Sequence, residues 1–111
     1  MTRKIFIASD HAGFDLKKQI INQSNIKMLD LGTNSNESVD YPDYASFLSQ
    51  NIKTNINSFG ILICGSGIGM TIAANRYSHI RAGLALNPEI ASLMRKHNDA
   101  NVLVLPGRFI N

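Results

Sequence analysis

Phe59-Gly60-Ile61-Leu62-Ile63-Cys64, followed at once by Gly65-Ser66-Gly67-Ile68-Gly69, reads as a buried strand running into a glycine turn. The unbroken apolar row Ile61 to Cys64 has no polar face. Such a strand needs cover on both sides, which is the situation of a strand inside a parallel sheet. Met70 to Arg76, after the turn, is helical in composition. The stretch is thus one strand–turn–helix unit, and the rest of the chain can be read as repeats of that plan.

Upstream, Ile5-Phe6-Ile7-Ala8 is a second compact apolar run, stopped by Ser9-Asp10-His11-Ala12-Gly13. Phe14, Ile20 and Ile21, with Lys17 and Lys18 between them, fit an amphipathic helix. Met28-Leu29-Asp30-Leu31 reads as a strand closed by Gly32 and a polar loop to Asp40. Pro42 suits the first turn of a helix, and Tyr44, Leu48 and Ile52 form one stripe along it. Downstream, Ile80 to Leu86 is a strand candidate. Asn87-Pro88-Glu89 then opens a helix with a capping side chain, a proline at the first position and an acid in the first turn. That helix runs through Ile90, Leu93 and Met94 to about Lys96, and Val102-Leu103-Val104-Leu105 is the last strand, before Pro106-Gly107. Strands alternating with helices predict an α/β fold: a three-layer αβα sandwich with a five-stranded parallel sheet, Rossmann-like. The 111 residues suit a single domain over residues 1–111, without repeats, linkers or low-complexity tracts.

Composition narrows the function classes. Eleven basic and eight acidic residues leave a formal charge of +3, with no run of like charges, so a nucleic-acid partner is not expected. No apolar stretch approaches membrane-spanning length, and the N-terminal one is too short for a signal peptide. Cys64 is the only cysteine, which rules out an intrachain disulfide. A reducing, cytoplasmic setting is the simplest expectation. His11, His79 and His97 lie far apart and form no HxxxH pattern, so no metal site is expected, and no cofactor.

In open parallel sheets ligands bind beyond the carboxyl ends of the strands. The first strand ends at Asp10 and His11, the third at Cys64 and its glycine loop; if these strands are neighbours, both sets face one crevice. The loop lacks the dinucleotide fingerprint and the lysine of a P-loop. It reads either as a tight strand-to-helix turn or as a group of backbone N–H donors around an anion. Cys64 reads either as a small buried hydrophobe or as a thiolate favoured by the adjacent helix N-terminus, able to take a proton from carbon next to a carbonyl. Ser66 could hydrogen-bond the sulfur or a substrate. Asp10 could simply cap the next helix, Tyr41 could be a half-buried helix entry, and His97 could follow a helix whose end favours positive charge.

Taken together, Ser9 to Phe14, Asp30 to Thr33, Asp40-Tyr41-Pro42, Ile61 to Gly69, Ile72 to Asn75, Ile80-Arg81-Ala82 and His97 to Val102 resemble the type B ribose-5-phosphate isomerases, in order and over nearly the whole chain. The resemblance implies interconversion of D-ribose 5-phosphate and D-ribulose 5-phosphate through a cis-enediolate, a step of the pentose phosphate pathway. It assigns the base to Cys64, its neighbouring hydroxyl to Ser66 and ring opening to His97. Substrate contacts fall on Asp10, His11, Tyr41, Gly65, Ser66, Gly67, Ile68, Gly69 and Asn98, and a phosphate contact on Arg108. The family's homodimer, or dimer of dimers, shares its sites between subunits, so His97, Asn98 and Arg108 are expected to serve the partner's Cys64. Family members usually continue for a few tens of residues, including a helix, beyond the match to Gly107-Arg108. Allose-6-phosphate or galactose-6-phosphate is the alternative substrate, although galactose-type subunits tend to lack one counterpart of Cys64 and His97. A non-catalytic sugar-phosphate-binding subunit is the alternative from another class.

Overall fold

A computed structural model describes residues 3–110. In chain order the elements are β1 (Ile5–Ser9), α1 (Phe14–Gln23), β2 (Leu29–Asp30), α2 (Tyr41–Thr54), β3 (Phe59–Cys64), α3 (Ile68–Ala74), β4 (Ala82–Leu84), α4 (Pro88–Asn98) and β5 (Val102–Pro106), with a 3-10 turn at His11–Gly13. All five strands are parallel, in the order β2-β1-β3-β5-β4. The adjacency on which the site argument depends is present: Ile7 faces Ile61 and Ser9 faces Ile63. The chain leaves β1 toward β2 on one side and returns to β3 on the other, so the switch point lies between β1 and β3.

The period of two along each strand divides the layers. Gly60 faces α2, where an added Cβ would meet Leu48 at 2.6 Å and Ile52 at 3.0 Å. Gly13, at the start of α1, abuts Ile63 from the opposite face, and Gly83 abuts Met94 of α4. Helices α2 and α3 therefore cover one face and α1 and α4 the other. The main core lies on the α2/α3 side, where Phe6, Ala8, Leu48, Leu62, Met70 and Val104 are buried together. Full burial of one such aliphatic side chain contributes about 1.5–3 kcal/mol. The other side is thinner. Helix α4 buries no residue, Ile90 and Leu93 are 40% and 42% exposed, and Ile61 and Leu103 of the sheet are only partly covered.

Several element limits differ from the sequence expectation. β2 and β4 are shorter than the apolar runs that contain them, because each is an edge strand with one partner. On β4 the Asn75 side chain takes the place of a missing neighbour: its Nδ2 donates to Ala82 O at 2.9 Å and its Oδ1 accepts from Ala82 N at 2.8 Å. That pairing closes an otherwise open edge. Helix α4 continues to Asn98, two residues past Lys96, and stops where Asp99 adopts a left-handed φ of 52°. Helix α3 starts at Ile68 instead of Met70.

Lys17 is the main departure in packing. Expected on the polar side of α1, it is 1% exposed. Its ammonium donates to Asp30 Oδ1 at 2.7 Å and to Oδ2 at 2.8 Å, the pairing that a buried charge needs. Asp30 also accepts from Gly32 N at 2.9 Å. Gly32 and Thr33 in turn bracket Ser9, through Ser9 N to Gly32 O at 2.8 Å and Thr33 N to Ser9 O at 2.9 Å. The carboxyl end of β1 is thereby held just before Asp10. No helix among the described residues is long and apolar enough to cross a membrane.

Candidate active site

A cleft of about 480 Å³ opens beyond the carboxyl ends of β1, β3 and β5. It is lined by Asp10, His11, Ala12, Tyr41, Cys64, Gly65, Ser66, Gly69, Arg108 and Phe109. Two strand ends and a third, from β5, converge there, as the strand-end rule requires.

Cys64 ends β3 and is 5% exposed, so its thiol sits in the wall of the cleft and not on the surface. It also packs with the core of the α2/α3 side. The hydrophobe reading of this cysteine thus holds, since its body is packed in the core, and its position also borders the cleft.

The glycine loop carries out three separate tasks. Gly67 has φ +80°, a conformation that L side chains rarely adopt, and it precedes the first residue of α3. Gly69 lies under Tyr41, where a Cβ would come within 2.6 Å of the ring. Gly65 carries the Arg108 side chain, whose Cδ and Nη1 would both stand 3.2 Å from a Cβ there. At the start of α3 the first N–H groups have no intrahelical partner. Ile68 N donates to Ser66 Oγ at 3.2 Å, which leaves the N–H groups of Gly67, Gly69 and Met70. The Ser66 hydroxyl spends an acceptor site on this turn and keeps its O–H for another partner.

Asp10 is buried, and its Oδ1 accepts from Gly13 N at 3.0 Å. The capping reading of Asp10 is therefore satisfied, with the second carboxylate oxygen left over. For His11, Nδ1 stands 3.1 Å from Val39 N and 3.2 Å from Val39 O, so it meets both backbone groups of that residue. The loop before α2 thus fixes the ring and leaves Nε2 without a protein partner among the described residues. Tyr41 is the first residue of α2 and stands over Gly69 at the cleft edge.

Arg108 corrects one expectation. The resemblance implies that it serves a partner's Cys64, yet it lines the cleft of its own chain and lies along Gly65. The cause is in the backbone: β5 is the direct neighbour of β3, so the turn after Pro106 falls beside the glycine loop. His97 and Asn98 are not in this cleft. They occupy the last turn of α4, not the segment after it, and α4 returns toward the start of β5. That puts them at the amino-end edge of the sheet, away from the Cys64 of the same chain. Asn98 borders a separate depression with Asn75, Arg81 and Met94. Gly67 and Ile68 do not line the cleft either; Gly67 packs toward Leu84 and the end of β5. Ala12 and Phe109 are additions. Both follow strand ends, the signal that would have located them.

The family described as Ribose/Galactose Isomerase matches residues 5–111. A probable ribose-5-phosphate isomerase B of Mycoplasma pneumoniae is 46% identical, over 99% of this chain and 75% of its own length. Ribose-5-phosphate isomerase B of Escherichia coli is 41% identical, over 97% of this chain and 74% of its own. Among solved structures, a ribose 5-phosphate isomerase from Thermotoga maritima superposes with a TM-score of 0.91 at 56% identity, covering 100% of this chain and 79% of its own. Ribose-5-phosphate isomerase B from Mycoplasma genitalium, solved with bound ribulose-5-phosphate, gives 0.90 at 41% identity, covering 100% and 76%.

Proposed function

This chain belongs to the ribose/galactose isomerase family, and on that premise we propose how its residues interconvert D-ribose 5-phosphate and D-ribulose 5-phosphate. It is an aldose–ketose isomerase, of the kind its relatives are named for. The observation that carries the residue assignment is the meeting of the Cys64 thiol, the glycine loop and Arg108 in one cleft.

Arg108 and the His11 ring hold the phosphate end of the sugar; a guanidinium fork matches phosphate oxygens in pairs. The open aldose lies with C2 toward Cys64. The thiolate removes the C2 proton and becomes a thiol, and the electron pair moves to give the enediolate. Backbone N–H groups of the loop and the Ser66 hydroxyl hold the charge on the enediolate oxygens. A proton passes from O2 to O1, the Cys64 thiol returns its proton to C1, and the ketose results with no net gain or loss. Asp10 and Tyr41 hold hydroxyls along the chain of the sugar.

His97 opens the ribose ring, with Asn98 beside it, and both reach the cleft from a second copy of the chain. The support is on α4. Ile90, Leu93 and His97 follow at i, i+3 and i+7, one stripe of the helix, and the two apolar members are exposed. A copy that covers Ile90 and Leu93 would also meet His97. The chain is read as one sugar-phosphate isomerase domain working in the cytoplasm as a homodimer with shared sites.

The test is ketose formation from D-ribose 5-phosphate by the chain and by its Cys64→Ala variant. Turnover that drops about 10²–10⁴-fold in the variant, the contribution of a general base, is the expected result. Full activity in Cys64→Ala would end the thiolate assignment.

A further inference from the structure

At the opposite end of the sheet from Cys64, a second cleft of about 280 Å³ carries four cations among its twelve lining residues. Phe59 begins β3 and Cys64 ends it, so the two clefts stand roughly 17 Å apart along the strand. Arg3, Lys53, Arg81 and Arg95 line this cleft together with one carboxylate, Asp99. Arg81 Nη2 reaches Asp99 Oδ2 at 2.7 Å and Arg95 Nη1 reaches Oδ1 at 2.9 Å. Held first by the charge of Arg95 and then by the Arg81 hydrogen bond, the Asp99 carboxyl stays below the usual carboxylate range. One carboxylate thus serves two guanidiniums, and Arg3 and Lys53 have no ion-pair partner among the described residues.

The arrangement is more ordered than a solvated basic surface. The guanidinium of Arg3 stands 4.7 Å from the centre of the Phe59 ring and that of Arg95 5.0 Å from the same centre. Two like charges on one ring repel each other, and an anion near either one relieves that repulsion. Arg95 Nη1 is also spent on Ala100 O at 2.7 Å, so the fork that the ring holds ready for a ligand is that of Arg3, which lowers the entropy lost on binding. Lys53 and Arg95 fall in the last turns of α2 and α4, where a cation complements the helix end. That placement does not account for Arg3, which precedes β1 and belongs to no helix. In the cleft wall, Ser58 is 5% exposed and its hydroxyl has no hydrogen-bond partner.

We propose that this cleft is a second anion site, separate from the Cys64 cleft of the same chain, for a small metabolite carrying two phosphoryl groups. Cations at several points around the rim suit more than one anionic group, and guanidinium forks suit phosphoryl oxygens. The volume excludes a polymer as the ligand held inside.

The test is calorimetric titration of the full chain with inorganic diphosphate in an Arg108→Ala background, which weakens the Cys64 cleft. Diphosphate should still bind there. Adding Arg3→Gln and Lys53→Gln, both at exposed positions, should raise the dissociation constant about tenfold or more. Loss of all diphosphate binding in Arg108→Ala alone would overturn the proposal, since the Cys64 cleft would then be the site. So would a triple variant that binds as tightly as Arg108→Ala. Neither result bears on isomerisation, which is read separately with D-ribose 5-phosphate.

Discussion

The N–H of Gly107 donates to the carbonyl of Cys64 at 2.8 Å, and the next residue repeats the pattern, Arg108 N to Gly65 O at 3.0 Å. The first bond continues the β3–β5 ladder from the last residue of β3, and the second ties the turn to the glycine loop. They fix the turn after Pro106 against the glycine loop, and the Arg108 side chain follows that turn over Gly65.

Arg108 is therefore held by its backbone and is free in its charge, since it forms no ion pair among the described residues. Arg108→Ala should raise KM for D-ribose 5-phosphate about 10–100-fold, the loss of one or two charge-assisted hydrogen bonds. The value of kcat should change less, because the phosphate stays far from C1 and C2 through the reaction. Arg108→Lys should recover part of KM, since a point charge remains but the fork is gone. Steady-state kinetics decide it; an unchanged KM in Arg108→Ala would remove Arg108 from phosphate binding.

Most of the architecture was legible in the sequence, for identifiable reasons. Ile61 to Cys64 and Val102 to Leu105 are runs without a polar face, and only central parallel strands use such runs, so β3 and β5 were clear. The edge strands were less so, because the apolar run Ile80 to Leu86 extends past the paired residues: Ile80 is buried outside β4 and Leu86 is exposed beyond it. In the cleft, Asp10, His11, Cys64 and the loop followed from strand ends alone. The position of Arg108 did not, because it depends on β5 lying next to β3, and strand order leaves no mark in local pattern. Nor did the burial of Lys17, whose partner Asp30 is set by the β1–β2 pairing.

Gly69 links packing to the cleft. A Cβ at this position would stand 2.6 Å from Tyr41 Cζ and 2.9 Å from its hydroxyl. Tyr41 is 38% exposed, so it can swing aside without opening the core. Gly69→Ala should therefore leave the melting temperature within a few degrees, and alanine's helix propensity works in its favour. Turnover should fall about tenfold, the effect of displacing one substrate hydrogen bond. Comparing thermal melts with kcat/KM separates the two. Equal loss of stability and activity would mean that the Tyr41 ring is part of the fold and not of the cleft.

The Lys17–Asp30 pair should respond unequally to loss of either member. The lysine side chain is 2% exposed and the aspartate 38%. Asp30→Asn leaves a buried ammonium without its counter-charge, a loss of about 3–5 kcal/mol for pairs of this kind. Lys17→Met leaves a carboxylate that still reaches water and still accepts from Gly32 N. It also places an unbranched apolar chain in the space of the lysine stem, so its cost should be smaller, about 1–2 kcal/mol. Urea denaturation of both variants gives the order directly. Equal losses would show that the pair is solvated in solution.

The last prediction concerns the two halves of the proposed site. Within one chain His97 stands at the amino-end edge of the sheet and Cys64 at the carboxyl-end edge, so one copy cannot bring them together. If a second copy does, Cys64→Ala and His97→Ala should each be inactive when pure and recover activity when mixed. In a symmetric dimer that exchanges freely, half of the dimers are mixed, and each mixed dimer holds one site with both residues intact, so about a quarter of the sites work. Mixing after mild unfolding and refolding, with turnover of D-ribose 5-phosphate as the readout, tests this. Recovery toward that level would place His97 across the subunit boundary from Cys64. If the mixture stays as inactive as its parts while sedimentation shows mixed dimers, His97 acts elsewhere, and ring opening falls to a group already in the cleft, with His11 Nε2 the first to examine.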